Sequence, residues 1–362
     1  MTEITRTETL WVAIDLAKNI LQVHLETEAG RLISSKAVRR ERLLATLQSN
    51  LPAGTIIAME ACAGAHYWSR QLRLLGFVPR ILAAHLVKPF RRQGPRAKND
   101  ANDAAAICEA SRRPRLHTVP VKTPEQQGVL AVHRLREAYK TERTAIINTI
   151  RGLCGEFGVI FPQGPEELRR RIVEAIEDAS NEITPLVRKA LQRAHLHWLD
   201  AELQLAWCDE QIGIHARQDS RAKAISQIPG IGPVTASALV AAIGDFKQFS
   251  TASQFGGWLG MTPSQDSSGG KRRLGSITKR GDTSLRTLLV QAAKSAVMTA
   301  HKRSDPISQW VVKLKERAGW QKACVALAHK HARIVWAMLV KGRNFDASHV
   351  SWYPQAAGAT TG

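Results

Sequence analysis

Residues 10–39 read LWVAIDLAKNILQVHLETEAGRLISSKAVR. Leu10 to Asp15 is an apolar run closed by an acid. From Ile20 to Thr27, Leu21, Val23 and Leu25 alternate with Gln22, His24 and Glu26, the period of two that a half-buried strand requires. Glu28-Ala29-Gly30-Arg31 is a turn, and Leu32–Val38 returns as a third strand. Further on, Thr55-Ile56-Ile57-Ala58-Met59-Glu60 is apolar on both faces, as in an interior strand, and it too ends in an acid. Helices are expected over about 41–49 and 65–75, the second stopped by Gly76, with a short strand at Val78–Leu82. Three strands in hairpin order followed by alternating strands and helices give a mixed α/β sheet.

The chain has 362 residues, with 51 Lys and Arg against 31 Asp and Glu, a net charge of +20. The hydrophobic share of 44% supplies material for a core and excludes a disordered or collagen-like chain. Such an excess of positive charge calls for a polyanionic partner, because each phosphate contact releases counterions. No apolar run approaches the roughly 18 residues of a membrane span, and the polar, acid-containing start is not a targeting segment. Five scattered cysteines without a CxxC pattern indicate neither a disulfide framework nor a zinc site. A reducing, cytoplasmic location with no membrane partner is expected.

Residues 88–98, KPFRRQGPRAK, read as a basic loop touching phosphate, and a helix is expected from Asn99. From Pro124 the chain turns helical. Val132, Leu135, Tyr139, Glu142, Ile146, Thr149 and Leu153 share one face. A heptad seam runs through Leu191, Ala194, Trp198, Ala201, Leu205, Cys208 and Ile212, which suits either a coiled coil between chains or a helix pair within one. Pro229-Gly230-Ile231-Gly232 between helical patterns resembles a helix-hairpin-helix element, in which Gly230 and Gly232 let the backbone approach phosphate. Residues 263–281 are rich in Ser, Gly and cations, and read as a loop. Helices are expected again over about 283–300 and 320–340.

Asp15 and Glu60 each end a buried strand, and Asp100 and Asp103 share one helix face. Such carboxylates can converge on Mg²⁺, which takes oxygen ligands and serves phosphodiester chemistry. For Asp100 and Asp103 alone, the simpler reading is helix N-terminal charge meeting the dipole.

The four acids and the serine loop together resemble the DEDD transposases of the insertion sequence 110 family, the bridge-RNA-guided recombinases. The likeness is carried by Ala13-Ile14-Asp15 with Lys18, Met59-Glu60-Ala61 with Gly64, and Lys98-Asn99-Asp100-Ala101-Asn102-Asp103-Ala104. In the second half it is carried by Ile228-Pro229-Gly230-Ile231-Gly232, Gly260-Met261-Thr262-Pro263, Ser268-Gly269, and Lys279-Arg280-Gly281 with Leu285-Arg286. It implies a RuvC-like domain over about 1–123, a helical coiled-coil region over 124–220, a mostly helical C-terminal transposase domain over 221–346, and a tail at 347–362. It further implies Mg²⁺ at Asp15, Glu60, Asp100 and Asp103, and a catalytic serine at Ser268, with Ser267 as the alternate. Donor and target double-stranded DNA, a noncoding guide RNA and a homo-oligomer with active-site halves from different protomers are implied as partners. Phosphate contacts are expected from Lys271, Arg272, Arg273, Lys279 and Arg280. Two rival readings remain: a metal-dependent nuclease or junction resolvase without a serine nucleophile, and a non-catalytic nucleic-acid-binding protein.

Overall fold

A computed structural model describes residues 10–92, 99–114, 116–266 and 273–348. The chain divides into two units, Met1–Pro124 and Glu125–Gly362.

The first unit is a mixed sheet with helices on both faces. Its strands are β1 (Leu10–Asp15), β2 (Ile20–Thr27), β3 (Leu32–Arg39), β4 (Ile56–Glu60), β5 (Val78–Leu82) and β6 (Thr118–Val119). They lie in the order β3-β2-β1-β4-β5-β6. The pairs β1/β2, β2/β3 and β5/β6 are antiparallel, while β1/β4 and β4/β5 are parallel. This mixed six-stranded sheet is consistent with a RuvC-like α/β fold. The helices are α1 (Leu43–Asn50), α2 (Ala65–Leu74), the single turn α3 (Ala84–Val87) and α4 (Asp100–Ser111).

Alternation along β1 sorts its side chains to two faces. Leu10, Val12 and Ile14 join Ile57 and Met59 of β4, Leu43 and Leu47 of α1, and Trp68 and Leu72 of α2 in one core. Each such fully buried side chain contributes about 1.5–3 kcal/mol. On the other face Ala13 lies beside Ala58 in register, and both pack against Ala106, Ile107 and Ala110 of α4. Two adjacent alanines leave a shallow floor on which an alanine-rich helix can lie close. α4 begins at a proper cap: the Asn99 side chain accepts a hydrogen bond from the Asn102 amide at 2.8 Å, worth about 1 kcal/mol.

The second unit is helical apart from one hairpin. It holds α5 (Pro124–Gly155), α6 (Pro165–Glu177), α7 (Pro185–Gln218), α8 (Ser220–Ile225), α9 (Pro233–Ile243), α10 (Ala252–Trp258), β7 (Pro263–Gln265), β8 (Leu274–Ile277), α11 (Thr283–Thr299), α12 (Pro306–Ala318) and α13 (Trp320–Lys341). The heptad seam of α7 is buried within this one chain: Leu191 and Trp198 pack with Ile150 and Cys154 of α5 and with Leu168 and Ile172 of α6. The expected face of α5 is corrected. Leu135 and Leu153 are exposed, and burial falls one position along, on Ile150 and Cys154. The stretch expected as a loop at 263–281 contains the β7/β8 hairpin. α13 is apolar and long enough to pass a membrane-span test by composition, contrary to the reading that no run approaches that length. Its buried face, including Cys324, Leu327, His331 and Val335, forms part of the core of this unit.

Candidate active site

The strand parity that builds the first unit also delivers its acids. Asp15 follows Trp11 and Ala13, and Glu60 follows Ala58, on the face covered by α4. β1 and β4 run parallel in register up to Ile14 and Met59, so both acids emerge at the same strand ends. On α4, Asp100, Asp103, Ile107 and Ala110 recur at helical spacing. The face that buries Ile107 and Ala110 against the sheet thus carries the two aspartates at its first turn.

Electrostatics records how near these groups lie. The half-buried Asp15 carboxyl is pushed up to about 6, first by burial and then by Asp103, Asp100 and Glu60, with Arg91 opposing. Arg91 bridges two of the other acids: its Nη2 is 2.8 Å from Glu60 Oε2 and its Nε is 3.2 Å from Asp103 Oδ1. Among the described residues, four carboxylates are therefore offset by one guanidinium. The set fits a divalent cation in its chemistry: the donors are all hard oxygens, and a cation there would favour the ionised form of Asp15 that burial, and then its neighbouring acids, disfavour. Asp100 and Asp103 also lie in the first turn of α4, so the helix dipole favours their charge whether or not metal is bound.

Arg91 was not singled out from the sequence, where it belonged to a loop expected to touch phosphate. In the structure it faces carboxylates instead. Of that loop, residues 93–98 lie outside the described residues.

A second cluster sits on the same face of the sheet, with ligand atoms of His24, Glu26 and Cys108 within 4.8 Å of one another. It is internally balanced. Glu26 Oε2 is 3.1 Å from Arg112 Nη1 and its Oε1 is 2.9 Å from His24 Nε2. Burial, then Glu26, pushes the Cys108 thiol up to about 12. A protonated thiol beside an already neutralised carboxylate is a poor cation site.

In the second unit, the expected phosphate role of Gly230 meets a competing demand. Its φ is +86°, and a Cβ there would stand 2.1 Å from the Ala292 carbonyl oxygen of α11. Gly230 is needed for packing, whereas Gly232 caps α9 with nothing within 4 Å of its Cβ position. Of the serine hairpin, Ser267, Ser268, Lys271 and Arg272 lie outside the described residues. Its base is closed by the Asp266 amide on the Arg273 carbonyl at 3.0 Å. Arg273, Lys279 and Arg280 are all exposed.

The segment after the hairpin is held by backbone. The Thr278 amide donates to the Thr262 carbonyl at 2.9 Å and the Lys279 amide to the Gly260 carbonyl at 3.0 Å. Lys279 is held at φ +55°, among the described residues the only non-glycine with positive φ. A Cβ on Gly281, at φ +129°, would meet the Trp258 carbonyl oxygen at 2.1 Å. Gly281→Ala is expected to cost about 2–4 kcal/mol from strain plus overpacking. Gly319→Ala, also at positive φ but with open space around it, should cost less. Urea unfolding of the two variants separates clash from strain, and equal losses would show that the close approach is relieved cheaply.

Known proteins are similar to this chain over nearly its whole length. The model of the IS116/IS110/IS902 transposase family matches residues 222–308, and the DEDD transposase model of the IS110 type matches residues 12–157. A probable family 20 transposase of Pseudomonas aeruginosa is 40% identical over 91% of this chain and 96% of its own length. The transposase for insertion sequence element IS1328 of Yersinia enterocolitica is 35% identical over 92% and 98%. The transposase for insertion sequence element IS1111A of Coxiella burnetii is 34% identical over 92% and 90%. With its acids gathered at one edge of a mixed sheet and relatives matched almost end to end, this chain belongs to the IS110 family of DEDD transposases, enzymes that cut and join DNA.

Proposed function

We propose that Asp15, Glu60, Asp100 and Asp103 hold Mg²⁺ and that this chain cuts and rejoins the DNA of an insertion sequence through a phosphoserine at Ser268. The observation that carries the metal reading is the grouping of four acids where β1 and β4 end beneath the first turn of α4, in which burial first, and then Asp103, Asp100 and Glu60, push Asp15 up to about 6. Bound there, Mg²⁺ would polarise a scissile phosphate and neutralise developing charge. The chain's own part is to aim the carboxylates by strand parity and to hold Glu60 and Asp103 in place through Arg91. The test is cleavage of labelled element-end DNA. Activity is expected with Mg²⁺, none with a chelator, and recovery on adding Mg²⁺ back; cleavage that survives chelation removes the metal site.

The serine is favoured over a purely metal-dependent nuclease by energetics. Hydrolysis of both strands to free ends discards the phosphodiester, whereas rejoining without an external energy source conserves it, and a protein–DNA ester is one way to do so. Ser268 is followed by two glycines and then Lys271, Arg272 and Arg273, cations suited to a charged phosphorane. The charge of +20 and the family resemblance support a guide RNA alongside donor and target DNA. The turn before α9 supports a helix-hairpin-helix role limited to Gly232 and the free amides of that helix.

A homo-oligomer is supported by a stripe different from the buried seam. Leu196, Leu199, Leu203 and Trp207 line the outer side of α7, with Leu196 61% and Leu203 70% exposed. Their spacing of three and four is again that of a helix-pairing face. Leu203→Glu is expected to lower the sedimentation coefficient to that of a smaller assembly without loss of the fold. An unchanged coefficient would remove the stripe as an interface.

A further inference from the structure

Arg91 holds two of the four acids and is itself held by little else. It directly follows the short turn Lys88–Phe90. Its Nη2 lies 2.8 Å from Glu60 Oε2 and its Nε 3.2 Å from Asp103 Oδ1. These two nitrogens form one edge of the planar guanidinium, so an oxygen at the end of β4 and an oxygen on α4 face the same edge. Among the described residues, Arg91 is also the one cation that acts on Asp15. Other arginines paired with partly buried acids are tied to the main chain as well. Arg112, which meets Glu26, donates to the Glu28 carbonyl at 2.9 Å, and Arg221, which meets Asp219, donates to the Gly244 carbonyl at 3.0 Å. The hydrogen bonds and ion pairs of the Arg91 guanidinium go to the two carboxylates alone among the described residues, and its side chain is 43% exposed.

A divalent ion would undo this arrangement. Shared by Glu60 and Asp103, it would compete for the carboxylate lone pairs that now face the guanidinium edge, and it offers two charges on one hard centre where Arg91 offers one charge spread over a fork. A partly exposed ion pair is weak, and no main-chain carbonyl keeps this guanidinium in place. A permanent support for metal ligands would be built the other way, fastened on its far side as Arg112 is. A guanidinium released beside the acids is suited to a DNA phosphate, whose oxygens it can take in pairs.

We propose that Arg91 is an exchangeable counter-ion: it bridges Glu60 and Asp103 while the acids are metal-free, yields them to the ion, and is thereby freed to hold a phosphate of the bound DNA. The proposal rests on the metal reading of the four acids and adds to it an order of events, metal before the Arg91 phosphate contact.

Isothermal titration of the full-length protein with Mg²⁺ tests the exchange, because exchange and fixed support predict opposite signs. Arg91→Gln is expected to bind Mg²⁺ about fivefold tighter, since the competing bridge is gone. A fixed support, once lost, would weaken binding about 10–100-fold. Arg91→Lys keeps the charge and loses the two-nitrogen edge, and should fall between Arg91→Gln and the unsubstituted protein. Thermal unfolding separates this from a folding defect. Arg91→Gln should melt below the unsubstituted protein with a chelator present, where its acids lack their counter-ion, and level with it in saturating Mg²⁺. Equal or weaker Mg²⁺ binding in Arg91→Gln overturns the exchange, as does a melting deficit that Mg²⁺ leaves in place. The phosphate contact is read from fluorescence anisotropy with labelled element-end duplex. With Ca²⁺, another oxygen-seeking ion, Arg91→Gln should lower the salt slope of binding by about one, and with a chelator it should leave the slope unchanged. A slope unchanged in both conditions overturns the phosphate contact, and one lowered equally in both overturns the order of events. Failure of the metal reading looks different: neither the unsubstituted protein nor Arg91→Gln would bind Mg²⁺, and the exchange would fall with it.

Discussion

Asp15→Asn is expected to abolish strand cleavage while making the metal-free protein more stable. Asparagine keeps the shape of the side chain and removes a charge that three neighbouring acids and burial already oppose. The folded-state value of about 6 lies above the ordinary 3.8, so the ionised carboxylate costs stability. That cost is absent below about pH 4, grows through the window up to about pH 6 and is full above it. A shift of this size in a fully buried group would correspond to about 3 kcal/mol. Half of this group faces water, and screening brings the expected gain to about 1–2 kcal/mol near neutral pH. Thermal unfolding with a chelator present should show Asp15→Asn melting above the unsubstituted protein near pH 7 and level with it near pH 4. Added Mg²⁺ should raise the melting temperature of the unsubstituted protein by mass action and move the variant little. Loss of a partner that merely orients a metal ligand costs about 10–100-fold, so loss of a ligand should cost more. Cleavage within about tenfold of the unsubstituted rate would end the assignment.

Ser268→Ala is expected to bind DNA normally and to form no covalent adduct. Denaturing electrophoresis with labelled element-end DNA should show a protein–DNA species for the unsubstituted chain, and peptide mapping should place it on Ser268. Adduct and recombination should both fall below detection in Ser268→Ala, because the hydroxyl that forms the phosphoserine is gone. An adduct on Ser267 would move the nucleophile by one residue. Cleavage to free ends with no adduct in the unsubstituted protein would favour a metal-dependent nuclease. Acids and serine belong to different units of the chain. A mixture of Asp15→Asn and Ser268→Ala chains should therefore recover part of the activity if protomers share a site.

Much of this molecule is written locally. The alternation in residues 10–39 is a property of neighbouring side chains, and it produced β1, β2 and β3 in hairpin order. The apolar runs ending in Asp15 and Glu60 were legible because a strand that closes on an acid puts it at a sheet edge whatever surrounds it. Asn99 and the acids after it read as a helix start for the same local reason. The sequence could also show that the α7 seam must be covered, since seven apolar or small residues in heptad register cannot be left in water.

What covers that seam, and which residues meet at a distance, were settled by the tertiary structure. The first half of the α7 seam is closed by α5 and α6 of the same chain, while Leu196 and Leu203 stay exposed. On α5 the apolar residues are spread widely around the helix, so periodicity alone could not choose between adjacent faces. Packing chose Ile150 and Cys154. The β7/β8 hairpin was hidden because its strands are three and four residues long, too short for a period to emerge. Gly230 was legible as a turn residue, but that its missing side chain is owed to Ala292, sixty-two positions on, is a matter of close approach between this turn and α11. Arg91 is the clearest case. An arginine in a basic loop carries no mark of its partner, and only the meeting of β4, α4 and that loop puts its guanidinium between Glu60 and Asp103. Local periodicity determines which side chains must be buried or closed, whereas long-range contacts of charge and shape depend on elements that only folding brings together.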